Sequence, residues 1–421
     1  QVDAKTYGGA TALYNKKLLN TNLRWEQSQT FEVGLDIGFL QNRLSFILDF
    51  YSRRTKDLLT KQALPGYTGF SDIVTNMGTL RNSGFEAEVK ANIINKGGFT
   101  WDMTANITSV ANKIIALPYN NVENNRVGGY EVAAGKVDAN GKFPTKWIAG
   151  RQEGGKLGEL VGYRQQHVFK DWDDVKQHAN LRVDEVANLY GPGLADQINP
   201  ATGKTYKESA GWQPIEPGDA CWEDINGDNI INGYDRSVMG NIFPNVTGGF
   251  STTFGYKGLS LYARFDYALG HTLYNDLKAR SLGQYQGQFN IITDVKDMWS
   301  EANPNSDLTK FYYADQLAKK NITRSNNAST AADNNSSRYY EKGDYLALRE
   351  VTLSYQLPKS LISKVHMTDA SVYVTGQNLF YITGYGGVSP EPAVSTTYGR
   401  GIDNGRYPTP RTLLFGLSLT F

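Results

Sequence analysis

Arg411-Thr412-Leu413-Leu414-Phe415-Gly416-Leu417-Ser418-Leu419-Thr420-Phe421 closes this chain. A period of two sets Leu413, Phe415, Leu417, Leu419 and Phe421 on one face and Leu414, Gly416, Ser418 and Thr420 on the other. One side meets something oily, the other something small or polar, and the run stops on an aromatic. The last strand of a soluble sandwich carries the same alternation, so the rest of the chain has to decide between that and the closing strand of an outer-membrane β-barrel.

The same pattern recurs in pairs. Residues of about 30 to 40 (Phe31, Val33, Leu35, Ile37, Phe39) and 44 to 54 (Leu44, Phe46, Leu48, Phe50) flank a tight turn at Gln41-Asn42. Further hairpins are expected over about 84 to 94 with 99 to 110, 245 to 256 with 259 to 270, and 344 to 358 with 371 to 383. Connections inside the pairs are short, whereas those near 55 to 83, 111 to 244, 271 to 343 and 384 to 410 are long. Antiparallel strands return to the same end at every second turn, so this sorting puts short turns at one end and long loops at the other. Outer-membrane barrels have that asymmetry, with short periplasmic turns and long extracellular loops. Compact soluble domains rarely hold loops of such length. The fold class expected is all-β, an antiparallel transmembrane β-barrel portion of about nine or ten strands from a larger barrel.

Composition agrees. Of 421 residues 40% are hydrophobic and 12% aromatic, with 26 Tyr, and mean hydropathy is -0.46. Strands with one wet face have this balance, and no apolar run reaches the roughly eighteen residues of a spanning helix. With 43 basic and 42 acidic residues and no basic stripe, nucleic acid is not an expected partner. The single Cys221 leaves no internal disulfide and no thiolate cluster. Gln1 opens without Met, basic n-region or apolar h-region, so a secretion signal is expected to be removed already or to lie upstream.

Several words of the chain then resemble the SusC/RagA class of TonB-dependent outer-membrane transporters. They are Leu23-Arg24-Trp25-Glu26, Val33-Gly34-Leu35-Asp36, Phe50 to Leu59, Asn76 to Glu86, Asp224-Ile225-Asn226-Gly227-Asp228, Tyr345 to Tyr355, Gly376-Gln377-Asn378-Leu379-Phe380 and the terminal Phe421. They run in family order over nearly the whole length. The resemblance implies that residues 1–421 are the C-terminal portion of a plugged barrel of about 22 strands, with the signal peptide, TonB box and plug domain outside this chain. It also implies import of an oligomeric nutrient, glycan or peptide, across the cell outer membrane. A SusD-like surface lipoprotein would act as lid, and TonB would act through the missing front. A calcium-stiffened surface adhesin or glycan-binding β protein is the competing reading.

One constellation carries site chemistry. Asp224, Asn226, Asp228, Asn232 and Asp235 stand at positions 1, 3, 5, 9 and 12 of a loop, with Ile230 at the position that offers a backbone carbonyl. This is the spacing of an EF-hand-like Ca2+ loop, in which alternate side chains turn oxygens inward onto a hard cation. Asn229 replaces the usual glycine at position 6, and Asp235 the longer glutamate at position 12, so a weak, structural site is expected. An Asx-rich turn with solvated carboxylates is the alternative.

Catalysis is not expected. His167, His178, His271 and His366 show no metalloprotease spacing, and no nucleophile elbow or phosphate-binding glycine loop occurs. Asp173-Asp174 reads as a solvated face. Trp147, Trp172, Trp212, Trp222 and Trp299 suit either stacking on a ligand or loop packing. Ile291, Ile292, Val295, Met298 and Trp299 recur at helical spacing, with Asn290 as cap, and predict a short amphipathic helix packed on the barrel rim.

Overall fold

The computed structural model describes residues 2–15, 17–284, 290–311, 336–391, 394–395, 399–405 and 407–421. Nine strands form one antiparallel sheet: β1 (Gln27–Phe39), β2 (Leu44–Ala63), β3 (Asp72–Lys96), β4 (Phe99–Ala116), β5 (Val246–Tyr256), β6 (Leu259–Leu269), β7 (Tyr345–Gln356), β8 (Asp369–Thr383) and β9 (Thr412–Thr420). Each pairs with its neighbour in chain order, from β1 at one edge to β9 at the other.

The registers carry the alternation across the whole sheet. Partners in an antiparallel ladder share a face, so Ile37, Phe46, Val89, Ala105, Phe250, Phe265, Leu348 and Phe380 make one continuous apolar row. Phe250 stacks on Phe265 at 4.5 Å and Trp101 on Phe254 at 5.4 Å along that face. Among the described residues nothing covers it: Phe415 is 81% exposed and Phe31 71%. An uncovered apolar face of nine strands calls for an apolar medium rather than water. The opposite face runs through Glu88, Asn106, Gly249, Asp266 and Tyr381.

Turn chemistry sets one end. Gly97-Gly98 and Lys257-Gly258 hold left-handed φ values at both central positions (65° and 79°, 48° and 89°), as a two-residue hairpin between right-twisted strands requires. The turn at 40–43 is similarly tight, and 357–368 carries a short helical turn at Lys359–Ile362. All four lie at the same end.

Two expectations are corrected. Residues 55 to 83 are not a long loop: β2 and β3 stay paired as far as Ala63 and Asp72, leaving 64–71 as the tip. A bulge between Thr55 and Leu58, with Asp57 at φ 55°, shifts the side-chain phase and hides the continuing strand from a period-two reading. The predicted helix near 291–299 is a five-residue 3-10 segment, Thr293–Asp297, entered from Ile292 without a side-chain cap. The β-branched Ile291, Ile292, Thr293 and Val295 disfavour a longer α-helix. Its apolar residues pack on Tyr274, Ala279, Leu282, Tyr339 and Ile402 within the loops, not on the barrel rim. Residues 2–15 form a separate two-stranded hairpin, Val2–Tyr7 with Ala10–Asn15.

The core sits in the loops. Residues 117–245 hold short sheets and one α-helix, α1 (Trp172–Ala179), around Phe169, Val175, Ala179, Leu189, Ile215 and Cys221, with Tyr163, Ala220, Trp222 and Ile231 beside them. Sheet and loops are joined at a bulge where Arg349 interrupts the β6–β7 register. Its guanidinium binds both Asp266 oxygens, Glu391 of the following loop and the Tyr381 hydroxyl (2.9 Å), while the Tyr381 hydroxyl donates to Glu391 at 2.8 Å.

Two outcomes are expected in the protein embedded in detergent or lipid. Phe265→Lys, in the middle of the apolar face, costs about 2–4 kcal/mol in denaturant unfolding, whereas Thr253→Lys, on the polar face opposite Asp102, changes stability little. Equal costs at the two positions would reverse the assignment of faces. Arg349→Met leaves Asp266 and Glu391 without their shared cation, costs roughly 1–3 kcal/mol, and speeds proteolytic cleavage between Gly384 and Glu391.

Candidate functional site

The loop Asp224 to Asp235 is shaped by its own side chains. The Asp224 carboxylate accepts from the N–H groups of Gly227 (2.6 Å) and Asn229 (2.8 Å). Asn226 Oδ1 accepts from the Asp228 N–H at 3.2 Å, and Asp228 Oδ1 from the Ile230 N–H at 2.7 Å. Asn232 Oδ1 accepts from the Tyr234 N–H at 2.9 Å. Asp235, fully buried, accepts from the Ile225 and Asn232 N–H groups, both at 2.9 Å. Asp224, Asn226, Asp228 and Asn232 thus each bend the backbone just after them, and Asp235 ties the end of the loop back to its beginning.

Asn229 settles one departure from the usual loop: it adopts φ 64°, the left-handed conformation for which glycine is standard at that position. Gly227 at φ 76° supplies the other tight bend. The strand Ile230–Ile231 pairs in parallel with Val183–Asp184, and Val137 N–H binds the Asn226 carbonyl at 2.8 Å, so the loop is tied to two neighbouring segments.

The electrostatics are those of crowded anions. Burial pushes the Asp235 carboxyl up to about 6 against the pull of the Asn232 and Ile225 amides, and the charges of Asp224 and Asp228 add to the rise. Lys136 is the cation at hand, its Nζ donating to the Asp224 carbonyl at 3.2 Å. Asp224, Asp228 and the buried Asp235 stand on one turn close enough for their charges to act on one another, and oxygen donors of this kind are those a hard divalent cation takes.

The loop tryptophans serve mainly as packing. Trp222 is buried against Tyr163 (6.4 Å), Trp212 meets Tyr206 at 5.3 Å, Arg126 lies 3.5 Å over Trp147, and Trp299 Nε1 donates to the Lys170 carbonyl at 3.2 Å. Trp172 stays half exposed.

Two histidines are structural in the same sense. His271 is buried, its Nε2 2.9 Å from the Pro390 carbonyl, and His366 ends the turn after Ser363–Val365 at φ 59°. The other two, His167 and His178, meet at Asp174, a juxtaposition missed in the sequence reading although Asp174 and His178 stand one helical turn apart. Arg349 and its carboxylates were also missed, because Asp266, Tyr381 and Glu391 are remote from it in sequence.

Comparison with known proteins fits this architecture. A family model described as TonB dependent receptor-like, beta-barrel, matches residues 3–212. TonB-dependent receptor P3 of Formosa agariphila is 28% identical over 408 residues, covering 96% of this chain and 35% of that protein. TonB-dependent receptor SusC of Bacteroides thetaiotaomicron is 27% identical over 411 residues, covering 96% of this chain and 33% of that protein. The solved structure of the RagAB peptide transporter superposes with TM-score 0.66 over 100% of this chain and 38% of that one, at 22% identity, and shows the same fold. The chain therefore spans about a third of the length of the curated relatives it matches. These relatives are receptors and transporters, not enzymes. With its uncovered apolar face, sorted turns and matching relatives, the chain is identified as a portion of a β-barrel similar to those of TonB-dependent receptors such as SusC, and its place is the outer membrane.

Proposed function

We propose that this chain supplies part of the wall and the extracellular loop layer of an active importer of oligomeric nutrients, glycans or peptides. The observation that carries the reading is the division of the molecule into an apolar band with short turns at one end and a separately packed loop layer at the other. A simple diffusion pore has no need of a loop layer with its own cores, whereas a receptor that captures a large ligand does. The strands beyond β1 and β9 that an open edge in lipid requires come from the rest of the protein. A SusD-like surface lipoprotein covers the loop layer, and TonB drives opening through a plug in the same barrel. That the RagAB structure is of a peptide transporter, and that SusC is TonB-dependent, supports both the oligomeric cargo and the energy source.

In the same reading, Asp224, Asn226, Asp228, Asn232 and Asp235, with the Ile230 carbonyl, hold Ca2+ as a structural ion. The ion neutralises the carboxylates of this turn and stiffens the segment that links Trp222 to the strand Arg236–Asn241. The role proposed for the ion is to hold the shape of the loop.

Two experiments test these points. Deletion of the gene for the intact receptor should abolish growth on one class of glycan or peptide oligomer and spare growth on its monomers, with a surface lipoprotein co-purifying from detergent extracts. Normal growth on every oligomer tried, with no lipoprotein attached, would sink the importer reading. For the ion, Ca2+ should raise the unfolding temperature of chelator-treated receptor, and Asp228→Asn should weaken the Ca2+ affinity roughly tenfold through loss of a ligand charge. An identical Ca2+ response in the variant removes the metal and leaves an Asx-rich turn.

A further inference from the structure

A second cluster of ligating side chains lies elsewhere in the loop layer and shares no residue with the Asp224 to Asp235 loop. The strand Gln165–Val168 pairs with Ala220–Trp222, and the chain then turns into α1, capped by Asp171, whose Oδ1 accepts from the Asp173 and Asp174 N–H groups at 3.0 and 2.9 Å. Val175 and Ala179 bury one side of the helix against Phe169 and Cys221. Asp174 and His178, four residues apart, share another side, and the strand brings His167 up to them. His167 Nε2 lies 3.2 Å and His178 Nδ1 2.7 Å from the same oxygen, Asp174 Oδ1, and the three atoms all fall within 4.8 Å of one another.

The carboxylate is oriented from behind. Its Oδ2 accepts from the Lys170 N–H at 2.9 Å, which leaves Oδ1 aimed at the two rings. Burial opposes its ionisation, yet the Lys170 amide and the two imidazoles outweigh that and hold the Asp174 carboxyl below its ordinary value. The side chains of His167, Asp174 and His178 are 31%, 13% and 43% exposed, so the cluster is anchored on one side and open to solvent on the other.

We propose that His167 Nε2, Asp174 Oδ1 and His178 Nδ1 form a site for a divalent transition cation of the zinc class, with a fourth position open to water or to a donor from outside the chain. Two imidazoles and one carboxylate suit a borderline-soft ion far better than Ca2+ or Mg2+, which take oxygen ligands. Bond lengths of about 2.0–2.2 Å set the edges of a tetrahedral site at roughly 3.3 Å. The His167–Asp174 separation already meets that, and the His178–Asp174 edge opens by about 0.6 Å through rotation of a half-exposed ring. The ion clamps the strand Gln165–Val168 to α1, crossing a turn that carries the exposed Lys170 and Asp171.

The test uses the intact receptor, purified in detergent and stripped with chelator, titrated calorimetrically with Zn2+ in the presence of millimolar Ca2+ and in parallel with Co2+ for its visible spectrum. His167→Gln and His178→Gln should each weaken Zn2+ binding by at least about tenfold and abolish the Co2+ bands of low coordination number. His366→Gln, at the opposite end of the sheet, should do neither. Heat-modifiable mobility in gel electrophoresis checks that each variant is folded. If the wild type takes up no Zn2+, or if folded His167→Gln and His178→Gln bind it as the wild type does, the cluster is a hydrogen-bonded His–Asp–His contact and the proposal falls.

Discussion

Within a hydrocarbon layer no water is available to an unbonded N–H or C=O, so every strand must find its partners along its whole crossing length. The unbroken chain-order ladder from β1 to β9 answers that requirement, and the rest of the structure follows from it. Because partners across a ladder share a face, one register choice puts Phe250, Phe265, Leu348 and Phe380 outward together and Asp266 and Tyr381 inward. A slip of one residue in any pair would turn that strand's apolar set into the water-facing side. Glycines on the inner face help to hold the registers. The Tyr51 ring lies across Gly84, where a Cβ would come within 2.5 Å of it, and Tyr373 covers Gly416 in the same way. That explains physically why Gly84 stands in the Ser83-Gly84-Phe85-Glu86 word and Gly416 in the last strand.

A sheet whose outer face meets lipid and whose inner face meets water has little apolar surface left to bury in itself, and burial is concentrated elsewhere. The loops between β4 and β5 and between β6 and β7 build several small cores, and these position the acidic loop and the His167–Asp174–His178 cluster. Sheet and loops meet through polar ties: Arg349 and Asp266 of the sheet with Glu391 of the loop after β8, and the Asn112 side chain of β4, which accepts from the Leu157 N–H at 2.7 Å. Such ties are directional, so they fix where the loop layer stands over the wall without blending the two.

Legibility in the sequence followed the range of the interactions. Strands with unbroken alternation, such as Phe31 to Phe39 and Leu413 to Leu419, were readable because a period of two is a local signal. The extension of β2 and β3 past Thr55 was not, because the bulge at Asp57 changes the phase while the ladder continues. The segment near 291–299 had helical spacing of apolar residues, but β-branching and the loop core it meets shorten it to a 3-10 turn. The acidic loop was legible residue by residue because its contacts span only a few positions, as the hydrogen bonds from Asp224 to Asn229 and from Asp228 to Ile230 show. The histidine cluster was hidden: its strand-to-helix turn has no repeating pattern to announce that His167 and His178 reach one carboxylate.

By itself the sequence determined that this chain makes antiparallel strands with one oily and one wet face, short turns at one end and long loops at the other, and an oxygen-rich loop at Asp224 to Asp235. These properties rest on periodicity, turn residues and spacing, all set within about a dozen positions of one another. Only the tertiary structure decided which loop segments pack together, that the loop cores bury Trp222 and leave Trp172 open, that Arg349 leaves the β6 register to join two strands and a loop, and that two histidines converge on Asp174. The first three depend on contacts between residues far apart in the chain, and the last on how one strand turns into one helix, which no periodic pattern encodes.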